Sequence, residues 1–249
     1  MSKARPKARK PVPVFLALIG DVVGSRDLEP RRRQRLQRIL LEDCLEKLND
    51  KLGKEVLAAK LGLTQGDSIQ GLFRSFPEVV EVVRAVTESL FEAFDPSLHM
   101  RFGLGYGRIT TGSIAESSWE LNAALLDGPA FHQARGALER ARDLGLWVCF
   151  SGFGPDPGRD DHLDLALEAF FAFMGSIRED WTKRQGMISI RFRELCLGAE
   201  EGISQAEMAK QAGVSPSVIS ETLKAARYKL LIQGEEAAVA LLQSLERGR

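Results

Sequence analysis

The chain has 249 residues, 34 basic and 34 acidic side chains and 44% hydrophobic content, enough to fill the core of one medium domain and a smaller one. Balanced charge removes any whole-chain electrostatic argument for nucleic acid, and no apolar run approaches the length of a membrane-spanning helix. Cys44, Cys149 and Cys196 form no Cys-x-x-Cys pair, the scattered His99, His132 and His162 make no zinc site, and no signal-peptide core opens the chain, so a cytoplasmic protein with reduced thiols is expected.

Residues 1–13 hold Lys3, Arg5, Lys7, Arg9 and Lys10 with three prolines and no acid, a composition that buries nothing and predicts a disordered basic tail. Residues 14–20 read as a buried strand ending in Gly20-Asp21. Pro30 starts a helix whose apolar positions Leu36, Ile39, Leu40, Cys44, Leu45 and Leu48 keep helical spacing up to Gly53. Two strands follow, 56–64 and 68–73, around a second Gly-Asp step, Gly66-Asp67. A helix opens at Pro77 and runs through Phe94, and residues 100–106 alternate as a strand. Strand, helix, strand, strand, helix, strand is the ferredoxin-like order. A further helix, 128–144, presents Arg135 and Arg142, and a short strand, 146–151, closes the region. Residues 152–161, with three glycines and two prolines, read as a linker. From His162 to residue 249 the pattern is helical, so the expected class is α+β: a domain over 14–151 and an all-α domain over 162–249.

The two Gly-Asp steps carry the chemistry. A carboxylate placed directly after a buried strand is held at a rigid sheet end, and two such ends side by side supply the hard oxygen ligands that Mg²⁺ prefers, phosphate oxygens completing the shell. Asp21 and Asp67 are the expected metal ligands, for Mg²⁺ or Mn²⁺. The segment Val22-Val23-Gly24-Ser25 supplies backbone amides for a polyphosphate: Gly24 lets the chain pass close to a ligand, Ser25 donates a hydrogen bond and Arg26 adds charge.

Asp21-Val22-Val23-Gly24-Ser25, Gly66-Asp67, the run Arg101-Phe102-Gly103-Leu104-Gly105-Tyr106-Gly107-Arg108-Ile109 with Gly112-Ser113-Ile114, and Asp127-Gly128-Pro129-Ala130-Phe131-His132-Gln133-Ala134-Arg135 resemble the SatD family in sequence and order. The same blocks are similar, more distantly, to the class III nucleotidyl cyclase catalytic domain. That resemblance implies a palm-like fold, two aspartates holding metal on a nucleoside triphosphate, and Arg135 as a transition-state arginine. The chain departs from cyclases at two positions, with Leu63 where they carry a base-selecting lysine and Phe131 where they carry an asparagine. Phosphate binding is therefore expected to outlast ring closure.

A second pattern lies at 204–226. Ser204 and Glu207 form a capping box, Gly213 relieves a turn, Ser215 is expected to cap another helix through its side chain and Pro216 fits that helix's first position. This resembles helix-turn-helix units of the sigma region 4 and LuxR type. The resemblance implies that Ser215, Ser217, Ser220, Glu221 and Lys224 meet DNA in the major groove. The nearby basic complement is thin, Lys210, Lys224, Arg227 and Lys229, and Glu221 opposes phosphate. One copy should bind weakly, so a homodimer is expected. The combined expectation is a nucleotide- and Mg²⁺-binding regulator coupled to DNA. The alternatives are an active cyclase or other phosphotransfer enzyme using Asp21 and Asp67, and a degenerate cyclase-like dimerisation scaffold.

Overall fold

The computed structural model describes residues 13–64, 66–94, 98–110, 122–154, 162–198 and 203–247. The basic tail up to residue 12, the block Gly112-Ser113-Ile114 and most of the expected linker lie outside the described residues.

β1 (Phe15–Val22) is apolar along nearly its whole length because both its faces are covered. Leu16, Leu18 and Val22 enter one core, while Phe15, Ala17 and Ile19 enter another on the opposite face. A helix then runs as α1 (Pro30–Arg38), a wider π-helical stretch over Ile39–Leu45 and α2 (Glu46–Val56). The backbone leaves helical geometry at Gly53, where the sequence ends the helix, and one more turn follows. β2 (Leu57–Thr64) and β3 (Ser68–Phe73) flank the Gly66-Asp67 turn, α3 spans Val79–Phe94, and β4 is Met100–Gly107. α4 (Pro129–Leu144) and β5 (Val148–Ser151) complete the mixed α+β region.

The five strands lie in the order β2-β3-β1-β4-β5. All neighbours are antiparallel except β4 and β5, which run parallel. β2 slips register twice along β3, and the slip is compensated by Asn49. Its side chain accepts from the Leu61 amide at 2.8 Å and donates to the Leu61 carbonyl at 2.9 Å, so backbone groups that the irregular ladder would orphan are satisfied.

α4 covers the sheet face opposite α1, α2 and α3 and lies unusually close to it. A Cβ built on Gly103 would stand 2.1 Å from the Ala134 carbonyl oxygen, and one on Gly105 would stand 2.1 Å from the Ala134 amide. The alternating glycines of β4 are thus the seat of a helix whose own contact face is Ala130, Ala134, Ala137 and Ala141. Backbone packs on backbone, and no larger side chain fits between them.

The remaining helices are α5 (His162–Glu179), α6 (Lys183–Gly198), α7 (Gln205–Ala212), α8 (Pro216–Ala225) and α9 (Tyr228–Arg247). One apolar cluster joins the sheet and α3 to Leu167, Phe171, Met174, Trp181, Ile190, Leu231 and Leu242. A buried ion network crosses the same boundary. Glu88 of α3 meets Arg178 of α5 at 3.3 Å, and Glu235 of α9 meets Arg178 at 3.1 Å and Arg193 of α6 at 2.5 Å. A smaller cluster of Met208, Ala209, Ile219 and Leu223 holds α7 against α8. Among the described residues, no helix is long and apolar enough to cross a membrane.

Candidate functional site

β1 ends between two partners. Asp21 is opposite Ser68 of β3 on one side and opposite Arg101 of β4 on the other. Its carboxylate faces the side of the sheet that α4 covers, as strand alternation from Phe15, Ala17 and Ile19 requires. There it accepts from Ser68 Oγ at 3.0 Å and from Arg142 Nη2 at 2.6 Å. Asp67 stands one residue before Ser68, at the turn into β3, and is half-buried. Both Gly-Asp carboxylates line one cleft of about 940 Å³.

The loop after β1 forms another wall. Val22, Val23, Gly24 and Ser25 all line the cleft, with their amides differently committed. The Val23 amide donates to the His99 carbonyl at 2.9 Å. Gly24 is left-handed (φ 71°, ψ 12°) and Ser25 begins a 3-10 turn, Ser25–Asp27. A left-handed residue followed by a right-handed one turns successive amides toward a common point, a concavity suited to an anion. Among the described residues, the amides of Gly24, Ser25 and Arg26 donate to no backbone carbonyl outside their own turn. Arg33 of α1 secures the loop from behind, Nη2 donating to the Arg26 carbonyl at 2.8 Å and to the Ser25 carbonyl at 3.3 Å.

Apart from Arg26, the cleft holds charges to which the sequence reading gave no place in it. Asp27 adds a third carboxylate to Asp21 and Asp67, while Arg26, Arg33, Arg101 and Arg142 supply four guanidinium groups. This excess of positive charge favours a polyanion. Arg101 was legible once β1 and β4 were paired end to end, because it stands opposite Asp21. Arg142 was not, because its relation to Asp21 depends on how closely α4 lies against β4.

Arg135, the arginine that the cyclase resemblance singles out, is exposed on α4 and is not among the residues lining the cleft. α4 runs antiparallel to β4, so each turn toward its C-terminus approaches the cleft. Arg142 is two turns and roughly 10 Å of helix rise closer than Arg135. His132 is also exposed, its Nε2 3.1 Å from Asp127.

The second set of expected site residues occupies α8. Ser217, Ser220, Glu221 and Lys224 are exposed at helical spacing along one face, and Val218 is half-buried beside the buried Ile219 and Leu223. The capping box at the start of α7 is present, Ser204 Oγ accepting from the Glu207 amide at 3.2 Å and Glu207 Oε2 accepting from the Ser204 amide at 2.8 Å. Ser215 stands at the N-cap of α8, but its hydroxyl pairs with Ser217 Oγ at 2.8 Å instead of accepting from an amide. That pairing corrects the expectation of a side-chain cap.

The model of the SatD family matches residues 15–242 of the chain. No curated protein and no solved structure matches it.

Proposed function

The chain belongs to the SatD family, and on that premise we propose a regulatory protein that binds a nucleoside triphosphate with Mg²⁺ in its sheet domain and reports the bound state to DNA. One observation carries this reading: a single cleft gathers both strand-end aspartates, four arginines and the Gly24–Ser25 concavity. In it Asp21 and Asp67 would hold the ion and the loop amides with Arg26, Arg101 and Arg142 would meet the phosphates. Among the described residues no three His, Cys, Asp or Glu side chains are grouped to hold an ion by themselves. That suits Mg²⁺, which keeps several waters and shares one or two carboxylates with substrate phosphate. When bound, the ion would neutralise phosphate charge.

The order β2-β3-β1-β4 with antiparallel neighbours supports a ferredoxin-like, cyclase-like core with β5 as an added edge. The capping box, the left-handed Gly213 and the exposed face of α8 support a helix-turn-helix. Coupling between them is favoured by the shared core and by the ion network that links α3 to α5, α6 and α9. DNA contact through Ser215, Ser217, Ser220, Glu221 and Lys224 would be weak in one copy, so a homodimer belongs to the same proposal. The exposed position of Arg135 outside the cleft lining favours binding over ring closure.

Thermal melting tests it. A ligand that binds only the folded chain raises the melting temperature by mass action. With Mg²⁺ present, one of the common nucleoside triphosphates is expected to raise that of the wild type and of neither Asp21→Ala nor Asp67→Ala. No shift at millimolar ligand would sink the reading. Recovery of the nucleotide unchanged from the same mixture separates a sensor from an enzyme.

A further inference from the structure

A second cavity, of about 260 Å³, opens at the same end of the sheet but on its other face, between α3, α5 and the start of β5. Its walls include Phe91, Leu98 and Trp147, with His99, Arg101 and Arg178 as polar groups. Two links join it to the phosphate cleft. Arg101 lines both cavities. His99 lines the second while its backbone carbonyl accepts from the Val23 amide in the wall of the first.

Arg178 adds a buried charge to the cavity wall. Its side chain is only 8% exposed, and among the described residues its Nε has no hydrogen-bond partner. The guanidinium carbon lies 5.5 Å from the ring centre of Trp147 and 5.4 Å from that of Trp181. The volume falls below the ~300–1,000 Å³ that encloses a whole drug-sized ligand. It suits one planar ring system against Trp147 and Phe91.

We propose that this cavity is the seat of a heteroaromatic base belonging to the same ligand whose phosphates occupy the neighbouring cleft. The proposal rests on the nucleotide reading above. Trp147 and Phe91 supply apolar walls for the ring. His99 offers a hydrogen-bonding group at its edge, and Arg101 stands where base and phosphates part.

Titration calorimetry on the full chain with Mg²⁺ compares inorganic tripolyphosphate, which has no base, with each common nucleoside triphosphate. The wild type is expected to bind one nucleotide at least tenfold more tightly than tripolyphosphate. Thr87→Trp, which fills the cavity, and His99→Leu, which removes the imidazole and keeps the carbonyl bond to Val23, are each expected to abolish that preference and to retain tripolyphosphate binding. If both variants bind tripolyphosphate and keep the full preference, the base sits elsewhere and the phosphate reading stands alone. Equal wild-type affinity for tripolyphosphate and every nucleotide overturns the base subsite too. If the wild type binds neither kind of ligand, the phosphate reading fails and takes the subsite with it.

Discussion

Arg142, in the last turn of α4, donates to Asp21 at the end of β1 across 121 residues of sequence, with Nη2 to Oδ2 at 2.6 Å. The pair is partly exposed, 47% for Arg142 and 27% for Asp21, so it contributes only about 0–1 kcal/mol to folding. Under the proposed nucleotide reading its larger effect is on binding, because a phosphate entering the cleft would compete with Asp21 for the guanidinium. Arg142→Gln is expected to change unfolding free energy by no more than about 1 kcal/mol and to weaken Mg²⁺-tripolyphosphate binding about tenfold, the worth of one charge-assisted contact. Unchanged affinity by calorimetry would remove Arg142 from the binding role.

The seat of α4 makes a sharper demand. In Gly105→Ala the new methyl would stand 2.1 Å from the Ala134 amide and 2.2 Å from the Ala130 carbonyl oxygen. Neither backbone can yield separately from its own helix or strand. A loss of about 3 kcal/mol or more is expected in urea unfolding, with Gly136→Ala as the control, since a Cβ there meets nothing within 4 Å.

Glu88 holds Arg84 at 2.9 Å and Arg178 at 3.3 Å while 7% exposed. Glu88→Ala leaves buried guanidinium charge less well paired, and about 3–5 kcal/mol of stability should be lost. A loss below 1 kcal/mol in chemical unfolding would mean that Glu235 suffices for both Arg178 and Arg193.

Burial first, and the Arg101 charge second, push the His99 imidazole below its ordinary value of 6.5, with Glu179 pulling the other way. The unfolded chain then binds more protons than the folded one just below that value. Stability is therefore undiminished by this group above about pH 6.5 and falls as pH drops toward its folded-state value. His99→Leu should flatten the stability profile below pH 6.5; parallel wild-type and variant curves would contradict the assignment.

If α8 enters a DNA groove, Lys224 is its basic contact. Lys224→Ala should weaken binding on every sequence alike and reduce the slope of log affinity against log salt by about 0.9. Fluorescence anisotropy at several salt concentrations measures this, and an unaltered slope would take Lys224 off the phosphate backbone.

The sequence made the strands and most helices legible because their apolar periods are clean. Buried Leu36, Leu40, Leu48 and Leu52 mark one helical face, and the apolar run of β1 marks a strand covered on both sides. Asp21 and Asp67 were legible as a pair through their Gly-Asp steps, and both line the same cleft. What local pattern could not reveal depends on distance in space. Gly103, Gly105 and Gly107 read as part of a motif, yet their role is to let α4 approach, and only that approach brings Arg142 to Asp21. Arg135 carried the resemblance, but the direction of α4 leaves it at the far end. Trp147 and Arg178, 31 residues apart in sequence, offered no signal at all.

The wide π-helical stretch at Ile39–Leu45 lies between two duties of one helix. Upstream, Arg33 and Gln37 line the cleft that holds Asp21 and Asp67; downstream, Leu48, Asn49 and Leu52 are buried, Asn49 against β2. Because each residue turns an α-helix by about 100°, one residue more or fewer between these groups changes their relative phase by that angle. Deleting one exposed residue such as Glu42 would tighten the coil to ordinary pitch without removing a buried side chain. A π-helical residue turns the chain less than an α-helical one, so both halves would keep nearly their present phase, with Asn49 still on β2 and Arg33 still on the Ser25 and Arg26 carbonyls. The wide coil thus absorbs a surplus residue that an ordinary helix would turn into a misalignment, and packing core and cleft wall share one rod.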